Sequence, residues 1–220
     1  MKRVLLSWSS GKDSAWSLHT LRQMPDVEVV GLLCTLNSEF DRVAMHAVRR
    51  ELLRAQAAAA GLPLREIELP WPCSNEDYER LMTAACKQAV ADGVTHVGFG
   101  DLFLEDVRDY RIAKLQPTGL QALFPLWGRN TAELAREMID GGLRAILTCV
   151  DPKQLDSSFT GREFNHELLR DLPPTADPCG EKGEFHTFVH AGPMFQRPIK
   201  VKPGEVVERD GFCFADLIST

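Results

Sequence analysis

Short apolar runs alternate with segments of helical periodicity over the first 120 residues. The apolar runs are flanked by turn residues and predict buried strands at 3–7, 28–36, 64–69 and 95–99. The segments between them repeat apolar residues at helical spacing and predict helices at 15–24, 44–60 and 74–90. This alternation is typical of an α/β fold with a parallel sheet, whose ligands bind beyond the carboxyl ends of the strands.

The pattern after residue 120 is different. It predicts a capped helix from Asn130, a strand at 144–150, a polar loop at 151–178 and a hairpin at 199–218 around Asp210-Gly211. We therefore expect two domains, one at 1–120 that carries the parallel sheet and a smaller α+β domain at 121–220.

Composition indicates a globular protein and argues against a membrane protein. The chain has 220 residues, of which 44% are hydrophobic, and a net charge of −6, so we expect a sizeable core and no broad binding to nucleic acid. No apolar stretch is long enough to span a membrane, and the N-terminal apolar run is too short for a signal peptide. Scattered cysteines without a Cys-x-x-Cys pair predict reduced thiols and a cytoplasmic location.

The densest chemistry lies in the turn after the first strand, where Ser9-Ser10-Gly11-Lys12-Asp13-Ser14 precedes a helix. Small residues let phosphate oxygens approach the main chain, the helix N-terminus attracts anions, and Lys12 can neutralise charge. A Walker A loop is excluded, because Leu6 stands at its first glycine and Asp13 separates Lys12 from Ser14. The turn predicts a nucleotide-phosphate site, with an ordinary polar turn as the alternative.

The same turn resembles Ser-Gly-Gly-x-Asp-Ser, the PP-loop of ATP pyrophosphatases, which split ATP between the α and β phosphates. The resemblance departs once, because Ser10 stands where the PP-loop has its first glycine. Serine fits less easily at that position if the residue needs a positive φ.

A second dense segment runs from Pro178 to Thr187 and combines glycines, carboxylates and a histidine. The carboxylates of Glu181 and Glu184 can hold Mg²⁺ or a cationic group, and His186 can move a proton near neutral pH. The alternative is a solvated loop that leads into a strand at 185–189.

The two segments together resemble the diphthine–ammonia ligase family. The resemblance runs from Val4 to Phe195 and includes Pro125-Leu126-Trp127-Gly128-Arg129 and the block from Cys179 to Pro193. It implies a doubly wound, five-stranded parallel sheet of the adenine nucleotide α-hydrolase (HUP) type, followed by a smaller C-terminal α+β domain. It also implies that a carboxylate attacks the α-phosphate of ATP to give an acyl-adenylate and pyrophosphate, after which ammonia displaces AMP and leaves an amide.

The resemblance implies roles for individual residues. ATP would be bound by the turn and by the ends of the second and fourth strands, that is by Ser9, Ser10, Gly11, Lys12, Asp13, Ser14, Cys34, Thr35, Leu36, Gly100 and Asp101. Mg²⁺ would be held by Asp13 and Asp101. The acceptor or ammonia would be oriented by Gly183, Glu184, His186 and Thr187. The catalytic residues would be Lys12, Asp13, Glu181, Glu184 and His186.

The acceptor and several alternatives stay open. The family's named acceptor is diphthine on elongation factor 2, but the run from Gly100 to Arg111 resembles bacterial relatives, which leaves an unknown small carboxylate as the other acceptor. Other interpretations are an ATP-binding regulator without turnover and a PP-loop tRNA-modifying enzyme with Cys179 as its nucleophile. The sequence is compatible with a homodimer and makes His46 a candidate nucleotide ligand.

Overall fold

The computed structural model describes residues 1–43 and 46–220. Strands and helices alternate in its N-terminal half: β1 Lys2–Ser7, α1 Lys12–Arg22, β2 Val27–Asn37, β3 Arg42–Val43, α2 Arg50–Ala60, β4 Leu64–Leu69, α3 Asn75–Ala91, β5 His96–Gly98, α4 Glu105–Leu115 and β6 Gln121–Leu123. Strands β4, β2, β1, β5 and β6 form a parallel sheet in this order. The short β3 runs antiparallel beside the end of β2. The predicted five-stranded parallel sheet is therefore confirmed.

The sheet is doubly wound, because alternate residues of β1 face different helices. Val4 and Leu6 belong to a core that includes residues of α1 and α2, whereas Leu5 belongs to a second core with residues of α3 and α4. All three side chains are buried, as expected of a parallel strand covered on both faces. The carboxyl end of β1 thus opens directly into the turn before α1.

The C-terminal half adds an antiparallel sheet and two helices, formed by α5 Thr131–Asp140, β7 Arg144–Val150, α6 His166–Asp171, β8 Phe185–Ala191, β9 Val201–Arg209 and β10 Phe212–Ser219. Its strand order is β8-β7-β10-β9. The predicted hairpin is confirmed, since β9 and β10 pair on either side of Asp210 and Gly211. These two residues have φ angles of 53° and 80°, and a tight two-residue hairpin turn needs positive φ at both.

Two of the predicted segments are wrong in part. Helix α2 begins at Arg50 instead of residue 44, and Ala47 has a left-handed φ of 53° through which a helix does not continue. Ala44 and Met45, which the predicted helix included, lie outside the described residues. The segment 151–178 contains the helix α6, capped by the side chain of Asn165. This helix was missed because six residues are too few to show a helical repeat.

The two halves share apolar contacts. β6 pairs with β5 in the parallel sheet, so a boundary between residues 120 and 121 would separate β6 from its sheet. We propose that the two domains meet between residues 124 and 130 instead. Leu18 of α1 and Phe188 of β8 are buried in one common core. No helix within 1–43 and 46–220 combines the length and apolar character needed to cross a membrane.

Candidate active site

The turn between β1 and α1 is held in shape by its own hydroxyl groups. Ser14 Oγ donates to the carbonyl of Gly11 at 2.9 Å and lies 3.2 Å from Ser9 Oγ. Ser9 Oγ in turn accepts from the N–H of Gly11 at 3.3 Å. Helix α1 begins directly at Lys12, earlier than the periodicity predicts. The two serines that we predict as phosphate ligands therefore also fix the turn.

Ser10 adopts the backbone conformation in which serine fits less easily than glycine, with a φ of 71°. Its side chain is buried, and its hydroxyl has no hydrogen-bond partner among the described residues. Its carbonyl accepts from the N–H of Val189 and from Gln56 Nε2, both at 3.0 Å. Because a left-handed conformation is less favourable for serine than for glycine, the turn holds local strain at Ser10.

Gln56 of α2 is a buried polar residue whose amide joins three segments. Its Oε1 accepts from Trp8 Nε1 at 2.9 Å, and its Nε2 donates to the carbonyls of Ser10 and Val189 at 3.0 and 2.7 Å. Buried amides are stabilising when all their polar atoms are paired in this way. Gln56 therefore fixes the turn relative to β8. The sequence does not indicate this role, because a single polar residue on a largely apolar helix face forms no motif.

Two glycines permit close packing around the turn. A Cβ atom on Gly100 would lie 2.9 Å from the carbonyl carbon of Asp13, and one on Gly11 would lie 2.7 Å from His46 Cε1. The first of these contacts is with backbone, which cannot move aside as a side chain can. Gly100 is therefore required for the end of β5 to approach the start of α1.

Strand β8 of the C-terminal sheet packs against the start of α1. Thr187 Oγ1 accepts from the N–H of Lys12 at 3.0 Å, and the carbonyl oxygen of Thr187 lies 3.1 Å from His46 Nδ1. The backbone N–H of Lys12, a residue of the predicted phosphate-binding turn, is thus bonded to a side chain of the other half of the chain. Thr187 supports the turn in addition to any contact with the acceptor.

The Lys12 side chain is buried near the rings of Phe164 and Phe185, with Nζ 5.9 and 5.4 Å from their centroids. Its ammonium pairs with Asp13 Oδ2 at 2.8 Å and donates to the carbonyl of Cys179. Burial by itself would lower the Lys12 pKa, but the nearby negative charges and the hydrogen bond to Asp13 together outweigh this effect, and the pKa is raised. Lys12 therefore stays charged in the site.

Glu181 lines the same cleft as Lys12 and presents a carboxylate to it. Its Oε1 accepts from the N–H groups of Leu102 at 2.7 Å and Phe103 at 3.4 Å. Burial raises the pKa of Glu181 to about 7, although the bond from Leu102 acts in the opposite direction. Glu181 can therefore both accept and return a proton near neutral pH.

Glu184 has a different environment from Glu181. Its side chain is 1% exposed, and its two oxygens accept from the N–H groups of Asp177 and Lys182 at 2.7 and 3.0 Å. The Glu184 carboxylate therefore holds the loop from Asp177 to Glu184 together, and it does not line the cleft. This arrangement positions Glu181 and Gly183, which do line it.

His186 and His46 form a tilted ring pair with centroids 4.7 Å apart. Burial lowers the pKa of His186 to about 4. Burial, reinforced by His186, lowers the pKa of His46 to about 3. Both rings are therefore neutral at pH 7 and do not titrate near neutrality.

Asp101, which follows the carboxyl end of β5, is paired with Arg111 of α4. The guanidinium meets its two carboxylate oxygens at 2.7 and 3.1 Å, and lies 4.5 Å from the ring centroid of Phe99. The charged residues from Glu105 to Arg111 have the pattern of an exposed helix start. The sequence therefore does not indicate that Arg111 belongs to a site. The fold brings Arg111 to the cleft because α4 returns over the end of β5.

These groups line one cleft of about 230 Å³. The predicted residues that line it are Ser9, Lys12, Asp13, Ser14, His46, Gly100, Asp101, Glu181, Gly183, His186 and Thr187. Thr35 lines an adjoining chamber together with Tyr78 and Met82. Cys34 and Leu36, also predicted to bind the nucleotide, are buried in β2. The structure thus brings the turn from Ser9 to Ser14 and the second dense segment together around one space.

Two family models match this chain. The model of the diphthamide synthase N-terminal domain matches residues 1–117, and that of the C-terminal domain matches residues 130–216. The chain belongs to the diphthamide synthase family. Relatives named diphthine–ammonia ligase from Danio rerio, Rattus norvegicus and Homo sapiens are 29%, 26% and 27% identical to it. The alignments cover 98% of this chain and 92%, 88% and 88% of the three relatives.

The resemblance of this diphthamide synthase family chain to PP-loop enzymes implies Mg²⁺, and the cleft residues fit it. Asp13 Oδ1 is buried and has no hydrogen-bond partner among the described residues. The cleft combines the carboxylates of Asp13, Asp101 and Glu181 with the cations of Lys12 and Arg111. Nowhere in the described ranges do three His, Cys, Asp or Glu side chains form a metal site by themselves. Mg²⁺ commonly binds one or two carboxylates together with substrate phosphates, so the donor set suits a metal that arrives with a nucleotide.

The thiol of Cys179 is poorly suited to nucleophilic chemistry. It is 1% exposed and donates to the carbonyl of Thr131 at 3.4 Å. Burial raises its pKa far above the usual range of a thiol. The environment of Cys179 therefore argues against the sulfur-transfer interpretation.

Proposed function

We propose that this chain is an ATP-dependent ligase of the N-type ATP pyrophosphatase class, which joins a carboxylate to ammonia and releases AMP and pyrophosphate. The main support is the cleft itself, where the turn around Lys12 faces the loop around Glu181. The names of the relatives that align with nearly the whole chain support a ligase as well.

ATP would span the cleft and its adjoining chamber. Lys12 and the hydroxyls of Ser9 and Ser14 lie where the triphosphate would bind, and the chamber beside Thr35 and Tyr78 offers an apolar surface for the adenine. Mg²⁺, when bound, would offset phosphate charge, and Asp13 and Asp101 are the carboxylates that would hold it.

The proposed reaction has two steps. An oxygen of the acceptor carboxylate bonds to the α-phosphorus while the bond from that phosphorus to pyrophosphate breaks, and Lys12 stabilises the charge of the leaving group. The nitrogen of ammonia then bonds to the acyl carbon while the bond from that carbon to AMP breaks. Glu181, whose pKa is about 7, takes the proton that the nitrogen loses. The neutral ring of His186 helps to orient the acceptor.

The acceptor is a carboxylate in this proposal, either diphthine, as in the names of the relatives, or a small carboxylate. All six cysteines lie in the described ranges and are unpaired. Unpaired cysteines support a reducing compartment, and we infer that the protein acts in the cytoplasm.

Identification of the products tests the proposal. Incubation with ATP, magnesium chloride, ammonium chloride and host-cell extract should give AMP and pyrophosphate by ³¹P NMR, and omission of ammonium or extract should reduce them. Formation of ADP and phosphate would rule the proposal out, and saturable ATP binding with no turnover would favour a regulator.

A substitution of the buried Lys12 tests its role. Lys12→Met keeps the aliphatic part of the side chain but removes the charge, and it should lower kcat by at least about 100-fold. The exposed variant Lys153→Met is the matched control and should leave kcat unchanged.

A further inference from the structure

The C-terminal hairpin leaves one edge of its sheet open. Strand β9 is last in the order β8-β7-β10-β9, and residues 205–209 are exposed on both faces. Val206 and Val207 are 60% and 44% exposed. Proteins usually protect such edges with charge, proline, a β-bulge or a covering segment. Pro203 and the register shift beside it affect only the first part of this strand. The charges of Glu205, Glu208 and Arg209 are of both signs, so they do not repel a strand whose charges are in the complementary order. The edge at 205–209 is therefore able to accept another strand.

The side chains along this edge have a self-complementary order. Strand β9 carries one extra residue between Pro203 and Val206, where its register with β10 shifts. From Glu205 onward the residues alternate, so Glu205, Val207 and Arg209 project to one face, and Val206 and Glu208 project to the other. A second copy that pairs antiparallel about a two-fold axis at Val207 sets each Glu205 opposite the partner's Arg209. Residues directly opposite each other in an antiparallel pair interact, and opposite charges stabilise the pair. A parallel arrangement would set each charge opposite its own kind.

The two charged residues needed for this pairing form no ion pair within the described part of the chain. None of the ion pairs found there includes Glu205 or Arg209, although the same hairpin uses Asp216 to bind Arg42 and Arg49. The guanidinium of Arg209 lies 5.3 and 5.2 Å from the ring centroids of Phe40 and Phe214. This stacking holds Arg209 in place before a partner arrives, which reduces the entropy lost on association.

We propose that the β9 edge is the contact between two copies of this chain, with the two antiparallel sheets joined into one continuous sheet. The opposite edge strand, β8, is already bonded to the turn through Val189 and Thr187. Among the described residues, β9 is therefore the one free edge of the antiparallel sheet, and association through it closes at a dimer instead of extending into a fibre. A single strand pair makes a small interface, for which we expect a dissociation constant on the order of 10 µM. This proposal does not depend on the proposed reaction.

Substitutions that reverse the charges facing each other across the two-fold axis test the contact. Sedimentation velocity of the full chain should show a concentration-dependent dimer over a range that brackets about 10 µM. The variant Arg209→Glu faces the partner's Glu205, and the variant Glu205→Arg faces the partner's Arg209, so each alone should weaken the dimer at least about tenfold. An equimolar mixture of the two variants should regain the wild-type dissociation constant, because both cross-strand pairs become attractive again.

The controls separate this contact from other causes of association. Lys202→Glu reverses an exposed charge on the same strand, outside residues 205–209, and should leave the dimer unchanged. Circular dichroism should show that every variant is folded. A wild-type chain that stays monomeric well above the expected dissociation constant overturns the proposal. So does a mixture that associates no better than the separate variants, or binding of this edge only to a different protein.

Discussion

The backbone N–H of Lys12 donates to Thr187 Oγ1 at 3.0 Å, and this bond joins the first turn of α1 to strand β8. Both residues are buried, and they lie 175 positions apart in the chain. The turn that we propose as the phosphate site is therefore shaped by the C-terminal half as well as by its own sequence. Loss of this contact should be measurable as a loss of stability.

Thr187→Val should lower the free energy of unfolding by about 1–3 kcal/mol, because valine keeps the volume but leaves the buried N–H of Lys12 without a partner. Thr187→Ser keeps the hydroxyl and removes only a methyl group, so it should lose less. Urea denaturation measures both values. Equal losses for the two variants would show that packing of the methyl group, and not the hydrogen bond, supplies the stability.

Ser10→Gly should raise the free energy of unfolding by about 1 kcal/mol, because glycine adopts the left-handed φ of 71° without strain. Ser10→Ala is the matched control, since alanine removes the unpaired hydroxyl but keeps the strain. Thermal or urea denaturation should rank the glycine variant above the alanine variant. The opposite order would show that the unpaired hydroxyl, and not the backbone conformation, is what destabilises the turn.

Gln56→Leu should lower the free energy of unfolding by about 2–4 kcal/mol, since it leaves Trp8 Nε1 without its acceptor and removes a donor from the carbonyls of Ser10 and Val189. Among the described residues, the Ser10 carbonyl then keeps only the N–H of Val189. The exposed residue Gln88 of α3 provides the control. Gln88→Leu should change the free energy of unfolding by no more than about 0.5 kcal/mol. Similar losses for both variants in urea denaturation would contradict the role of Gln56.

Stability should fall as the pH falls below the unfolded-state pKa of histidine, about 6.5. The pKa of His186 is about 4 in the folded chain, so between these values the unfolded chain binds a proton that the folded chain does not. This difference lowers the free energy of unfolding by up to about 1.4 kcal/mol for each unit of falling pH. His186→Gln lacks the group and should show a shallower slope by up to that amount. Equal slopes for the variant and the wild type would show that His186 is not buried in its neutral form.

Local features of the sequence predict much of the fold and part of the site. Short apolar runs predict the parallel sheet, and the small residues around Lys12 predict the turn, because each depends on neighbours in sequence. The contacts of Gln56 and Arg111 could not be predicted, since they arise only when distant segments pack together. The early start predicted for α2 has a similar cause, because nothing in the local pattern indicates the left-handed backbone of Ala47.

The central claim is that the turn from Ser9 to Ser14 binds the phosphates of ATP. The most direct test is a crystal structure of the protein with Mg²⁺ and α,β-methylene-ATP, an analogue that cannot be cleaved between the α and β phosphates. We predict that the triphosphate lies on this turn within hydrogen-bonding distance of Lys12, with the α-phosphorus open towards Glu181. A nucleotide bound elsewhere, with the turn empty, would contradict the account.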